Sequence, residues 1–231
     1  MKKKSYKKTN IGKNFKIICL IPIRSKSKRI KNKNFTKING IPLIKYVLNN
    51  IKQSKYIDKF YIASDNLGKV KKIINENNKI QLFQRSKKSS TSNAQTEIII
   101  NEFLRKKNMD ILVFVQATNP FIKYTYIDSA IEIFLKNNFD SLLSVVKSKH
   151  FIWSNQKYSK PTNYNLKKRK MSQSIKGHFL ENGSFYIFFR KNFFKKKNRL
   201  HGKIGTFEMP KQSMHEIDDK IDLKIVKKLL S

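Results

Sequence analysis

The sequence predicts an α/β protein: a mostly parallel, Rossmann-like sheet with helices on both faces, three layers in all. Three observations predict it. Strand-like and helix-like apolar patterns alternate along most of the chain. The strand candidates are short, nearly unbroken apolar runs, as expected of strands buried on both sides. With 231 residues, 39% of them hydrophobic, the chain has material for one large core.

Residues 1–14 read as a disordered basic tail, and the folded unit as 15–231. "KIICLIPI" (16–23) is the first strand. "PLIKYVLNNIKQS" carries Leu43, Ile44, Val47, Leu48 and Ile51 on one helical stripe. "KFYIAS" is a second strand, "LGKVKKIINEN" a short helix and "IQLFQR" a third strand. The helix "QTEIIINEFLRKKN" leads to "DILVFVQA", the most apolar strand. "YIDSAIEIFLKNN" and "DSLLSVVKS" repeat the helix–strand alternation. It breaks over roughly 150–180, a polar stretch with Pro161 and scattered aromatics, read as an extended excursion over the site or toward a partner chain. "GSFYIFF" and "GTFEMP" resume as strands, and "DLKIVKKLL" closes as an amphipathic helix.

The formal net charge is +36, from 51 Lys+Arg against 15 Asp+Glu. Concentrated on one face, such an excess would point to nucleic acid or another polyanion. Here the lysines are spread along the chain, which is the pattern of compositional drift onto solvated faces, and no nucleic-acid-binding motif accompanies them. A nucleic-acid partner is therefore not expected. The single Cys19 sits in an apolar run and allows no disulfide framework within the chain. No apolar run reaches the length of a membrane span, and the short run after the basic N-terminus lacks a cleavage signature. The expectation is a soluble cytoplasmic protein.

Open α/β sheets bind ligands beyond the carboxyl ends of their strands. The residues to weigh are thus Arg24–Asn34, Ser64–Asp65, Arg85 and Gln116–Pro120. The first of these, "RSKSKRIKNKN", has no glycine and no phosphate-loop pattern. Read alone, it is either a side-chain anion site or a solvated basic loop. Ser64 and Asp65 read first as helix caps. None of the four histidines forms a ligand pair, so a zinc site has little support.

The loop and its strand, "IPIRSKSKRIKNKN", resemble the first motif of the CMP-acylneuraminate synthetases, the CMP-sialic acid synthetases, through Pro22, Arg24, Ser27, Lys28, Lys33 and Asn34. "INGIPLIKYVL", "FVQATNPF" (Gln116, Thr118, Pro120), "DSLLSVVKSKHFIWS", "ENGSFYIF" and "HEIDDKIDL" are similar to later motifs of that family, in family order. The chain departs from the pattern at Lys26, which replaces a glycine, and at Ser92, which replaces an aspartate. Met171 and Ser172 stand where arginines are usual, leaving Arg169 and Gln173.

The resemblance implies transfer of CMP from CTP to the anomeric hydroxyl of a sialic-acid-like nine-carbon 2-keto sugar acid, with pyrophosphate released. Legionaminic acid, pseudaminic acid or eight-carbon Kdo are alternative acceptors. It implies that Arg24, Lys28 and Lys33, supported by Asn34 and joined by Arg85, hold the nucleotide. It places Gln116, Asn182, Tyr186 and Gln173 on the sugar side, and Glu216 and Asp218 around a Mg²⁺ or Mn²⁺ ion, with Arg24, Lys33, Gln116 and Asp218 nearest the chemistry. Residues i and i+2 of an extended segment point to one side, which suits two carboxylates sharing one cation. The competing reading of "HEIDDKID" is helix capping, to which Asp219 and Asp222 are assigned. The family also implies a homodimer, with 150–180 as the segment that crosses.

Overall fold

The computed structural model describes residues 15–25, 27, 29–74, 79–169 and 171–231. The 1–14 tail and Lys28 lie outside the described residues. Strands β1 (Ile17–Pro22), β4 (Lys59–Ser64), β5 (Ile80–Gln84), β6 (Ile111–Val115), β7 (Ser141–Ser148), β8 (His178–Phe189) and β9 (Ile204–Glu208) form one sheet in the order β5-β4-β1-β6-β8-β7-β9. All its pairings are parallel except the two made by β8, which runs antiparallel between β6 and β7. The mostly parallel prediction holds, with that one reversal.

The helices are α1 (Leu43–Ile51), α2 (Leu67–Lys71), α3 (Lys87–Ser90), α4 (Thr96–Lys106), α5 (Tyr124–Lys136), α6 (Arg190–Lys196) and α7 (Lys220–Leu229). Strand side chains alternate between the two faces. Ile17, Cys19 and Ile21 pack with α1, α5 and Val226 of α7, while Ile18 and Leu20 pack with Phe103 of α4 and Phe193 of α6. Because both faces are covered, β1 reads as an unbroken apolar run. Sequence periodicity predicted neither α3 nor α6; of the predicted helix over 67–77, Leu67–Lys71 is helical, 72–74 are not, and 75–77 lie outside the described residues. A two-residue hairpin, β2 (Lys37–Ile38) and β3 (Ile41–Pro42), also lies beside α1.

The excursion after β7 has short 3₁₀ turns and one bridge, Trp153 to Pro161. Phe151, Trp153 and Tyr164 stack edge-on, and the Arg169 guanidinium lies over Phe151 and Tyr164. Trp153 thus packs within the excursion, yet it remains half exposed. Among the described residues no helix is long and apolar enough to cross a membrane.

Candidate active site

A cavity of about 300 Å³ opens at the carboxyl ends of β1 and β6 and is lined by Arg24, Lys33, Asn34, Arg85, Gln116, Glu216 and Asp218 among others. A second lobe of about 280 Å³ shares Arg24, Ser27, Lys33 and Asp218 with it and adds Arg29, Ile30 and Ser92. Segments separated by nearly 200 residues of chain therefore meet at one place.

The basic loop after β1 is held in shape by neutralising its ends. The Asp65 carboxylate accepts from the Ser25 backbone N–H and hydroxyl, both at 2.7 Å. Asn34, buried, donates from Nδ2 to the Arg24 carbonyl at 3.2 Å and closes the loop on itself. Arg24 Nη1 donates to the Thr91 carbonyl at 2.7 Å. Asp65 is therefore a loop anchor rather than a cap; Asn66 caps α2. Burial alone would raise the Asp65 carboxyl. The Ser25 hydrogen bonds outweigh it, and with Arg85's charge they hold the group below its usual range.

Arg85 is buried, and its guanidinium donates to the carbonyls of Ile23 and Ser89. Burial first, then the charge of Arg24, pushes its pKa down to about 10, so it stays cationic at neutral pH. It lines the cavity but is committed to bracing the loops around it.

Glu216 and Asp218 are brought in by an extended segment whose Ile217 N–H donates to the Thr118 carbonyl at 2.8 Å. Ile217 is buried between them, so both carboxylates face the cavity. Lys33 Nζ donates to Asp218 Oδ1 at 2.9 Å and to the Ile217 carbonyl at 2.8 Å; Arg29 Nη1 lies 3.1 Å from Asp218 Oδ2. Burial would raise the Asp218 carboxyl too, but Lys33's hydrogen bond and charge, with Arg29, outweigh it and hold the group low. Glu216 goes the other way. Burial, then the Asp218 charge, raises it, against a weaker pull from the Thr118 hydroxyl at 3.3 Å. Asp219 and Asp222 form a capping box at the start of α7, as assigned.

Gln116 continues the β6–β8 ladder through its N–H to the Ser184 carbonyl at 3.0 Å, and its side chain reaches the cavity. Beneath it lies Gly183, with φ +61°; an added Cβ would stand 2.8 Å from Glu216 Oε2 and 3.4 Å from Gln116 Nε2. The β7–β8 register shifts between Leu143 and Val145, opposite the stretch of β8 that holds Gly183, and re-aims the backbone under the site.

Three residues expected on the sugar side do not line this cavity. Asn182 is buried away from the cavity wall: its carboxamide bonds Ser144 and Ser213, and its carbonyl accepts from Asn119. A buried amide satisfied by protein has no donor to offer a ligand. Tyr186 packs under Phe114 with its hydroxyl on Glu181, and burial followed by that carboxylate raises its pKa. Gln173 sits in the excursion, outside the cavity of its own chain, where its carbonyl accepts from Lys149. Sequence reasoning missed Gly183, Arg29, Thr96 and the structural knot Asn119, whose side chain ties Asn182 and Ser213. The paired glycine and asparagine in "ENGSFY", and the asparagine in "QATNPF", were the available signals.

With this geometry in place, comparison with known proteins is informative. A protein-family model described as cytidylyltransferase matches residues 18–229. An N-acylneuraminate cytidylyltransferase of Oncorhynchus mykiss is 32% identical over 219 residues, covering 91% of this chain and 49% of that protein. A pseudaminic acid cytidylyltransferase of Campylobacter jejuni is 24% identical over 223 residues, covering 92% and 95%. The chain thus spans about half the length of the N-acylneuraminate cytidylyltransferases it matches. A solved CMP:2-keto-3-deoxy-manno-octonic acid synthetase complexed with CTP superposes with a TM-score of 0.69 at 14% identity, over 93% of this chain and 98% of that one. A 4-diphosphocytidyl-2C-methyl-D-erythritol synthase from Anaerococcus prevotii gives 0.72 at 12%, over 95% and 98%. At those identities the structures establish the fold. With the family model matching nearly end to end, the chain belongs to the cytidylyltransferase family.

Proposed function

We propose that this chain transfers CMP from CTP to the anomeric hydroxyl of a nine-carbon 2-keto sugar acid and releases pyrophosphate. The carrying observation is the convergence of Arg24, Lys33, Asn34, Gln116, Glu216 and Asp218 on one cavity at the carboxyl edge of the sheet. The names of the relatives support the chemistry and two acceptors, a sialic acid and pseudaminic acid. Legionaminic acid and Kdo share the reacting group and belong in the same panel.

The sugar oxygen bonds to the α-phosphorus, the bond to the β-phosphate bridge breaks, and the hydroxyl proton leaves to solvent. Such a reaction asks the protein for charge neutralisation and alignment rather than a covalent intermediate. Arg24 and Lys33 meet the phosphates, Asn34 and Arg85 hold the loops that present them, and Gln116 orients the attacking hydroxyl. Glu216 and Asp218 fit a divalent cation. Burial and then its neighbour's charge raise Glu216, no cation among the described residues is bonded to it, and Gly183 leaves its carboxylate the room a Cβ would fill. Mg²⁺ or Mn²⁺ held there would neutralise charge on the triphosphate.

We also place two copies together. Trp153, Tyr158, Leu166 and Met171 of the excursion are 49–74% exposed, more apolar surface than one segment ordinarily leaves to water. Gln173 lies in the same segment, so its contact with substrate rests on a second copy. The free, buried Cys19 suits a reducing, cytoplasmic setting.

The test is pyrophosphate release by the purified protein with CTP and Mg²⁺ across N-acetylneuraminic, pseudaminic, legionaminic and Kdo acceptors. Release with one of them, lost in Glu216→Ala and Asp218→Ala, is the expected result. Absence of CTP binding would sink the assignment.

A further inference from the structure

Each oxygen of Asp218 is taken by a different cation: Oδ1 by Lys33, Oδ2 by Arg29. Glu216, two residues earlier, accepts one hydrogen bond among the described residues, from the Thr118 hydroxyl. One carboxylate of the pair is thus saturated by protein cations and the other waits beside it. The two cations differ in freedom. The Lys33 side chain is 15% exposed and also anchored to the Ile217 carbonyl, whereas the Arg29 side chain is 68% exposed and its Asp218 partner 47%. Arg29 comes from the same loop as Arg24, and the three cations Arg24, Arg29 and Lys33 line the second lobe of the cavity against the single carboxylate of Asp218.

We propose that Arg29 is a positioning residue that latches Asp218 while no triphosphate is bound, so that triphosphate and divalent cation bind this site cooperatively. The inference rests on the cytidylyltransferase reading of the cavity. A divalent cation approaching the Glu216–Asp218 pair finds one of its two ligands held by a guanidinium and a lysine ammonium, and the guanidinium has to leave first. A triphosphate offers those cations oxygens of higher charge than one carboxylate carries. Arg29, exposed and tethered by one bond, is the one that swings, and Asp218 Oδ2 is then open to the cation. Reciprocity follows: whatever nucleotide does for cation affinity, cation does for nucleotide affinity.

Replacing Arg29 therefore moves the two affinities in opposite directions, which a merely structural role would not do. The experiment uses the full chain as wild type, Arg29→Ala and Arg29→Lys. Mn²⁺ binding without nucleotide is read from the electron paramagnetic resonance signal of free Mn²⁺. CTP binding in EDTA is read by calorimetry. In Arg29→Ala, Mn²⁺ is expected to bind roughly two- to fivefold tighter, the range an exposed ion pair supports, and CTP weaker by a similar factor. Arg29→Lys restores both toward wild type. In an Asp218→Asn background the Arg29→Ala effect on Mn²⁺ vanishes, because the latched group is gone. Mn²⁺ affinity unchanged or weakened in Arg29→Ala overturns the latch, as does Mn²⁺ binding to none of the proteins. In either case, CTP binding by wild type leaves the cytidylyltransferase assignment standing. Failure of wild type to bind CTP at all takes both down.

Discussion

Gly183 shows how much of this site is held by one absent side chain. Its φ of +61° is a left-handed conformation, and its missing Cβ leaves 2.8 Å to the Glu216 carboxylate. Gly183→Ala meets both penalties: about 1–2 kcal/mol of backbone strain, and displacement of Glu216. Gly183→Asn separates them, since asparagine tolerates the left-handed region but still carries a Cβ. Expected for both is a loss in kcat/KM on the order of tenfold or more, equivalent to a shift of about 1.4 kcal/mol in transition-state binding. The melting temperature should fall further for alanine than for asparagine. Wild-type turnover in Gly183→Asn would show that Glu216 does not need this space. Asp65 makes a second residue-scale prediction, through pH. Its folded-state pKa lies below the ordinary 3.8, so the stabilisation it gives is present above that value and is lost as pH falls through the depressed one. Melting temperatures of wild type and Asp65→Asn should therefore differ near about pH 6, and the gap should narrow as pH falls below 3.8. A gap that does not narrow at all below pH 3.8 would assign the effect to shape rather than charge.

At the scale of elements, α7 is a positioning device for a carboxylate that is not part of it. Its capping box runs from Asp219 to Asp222, and Asp222 Oδ2 also accepts the Asp218 N–H at 2.9 Å. The helix N-terminus thereby fixes the peptide that carries Asp218 toward Lys33. Asp219→Ala should cost about 1 kcal/mol, some 2–4 °C in melting temperature for a domain of this size. Asp222→Ala removes the Asp218 contact as well, so it should lose more transfer activity than Asp219→Ala at equal stability loss. Equal activity in the two variants would separate the cap from the site. What the sequence made legible follows the same lines. Apolar runs and stripes placed β1, β4, β6, α1, α4 and α5, because burial on both faces writes itself into periodicity. The reversal of β8 was not legible: an antiparallel strand inside a covered sheet has the same apolar pattern as a parallel one. Motif order pointed to Glu216, Asp218, Lys33 and Gln116, and the structure brings the four together on one cavity wall. Asn182 and Tyr186 stay off the cavity wall, which motif order does not show, because it marks a neighbourhood and not the direction a side chain takes. Asn182 points into a buried polar knot with Ser144 and Ser213, one residue from the glycine that touches the site.

The whole molecule carries a formal +36 against a cavity that contains both signs. Like charges crowded on a compact surface repel, so folding works against that excess, and added salt relieves it. On the proposed function the same excess would draw a triphosphate toward the cavity, and added salt would weaken that attraction. Many lysines also lie over aromatic faces; the Lys69 ammonium stands 4.3 Å from the centre of the Phe35 ring and donates to Asn32 Oδ1. Those contacts are local and change little with ionic strength. Raising KCl from about 50 mM to about 500 mM shortens the screening length from roughly 14 Å to roughly 4 Å. Two readouts should then move in opposite senses: the melting temperature up, and KM for CTP up, with kcat nearly constant because the aligned groups inside the cavity are shielded from salt. A KM that ignores salt would mean that the +36 plays no part in nucleotide capture. Binding to mixed-sequence RNA that survives the higher salt would mean that the surface charge is organised for a polyanion after all, since drift alone leaves only the weak, steeply salt-dependent attraction of scattered lysines.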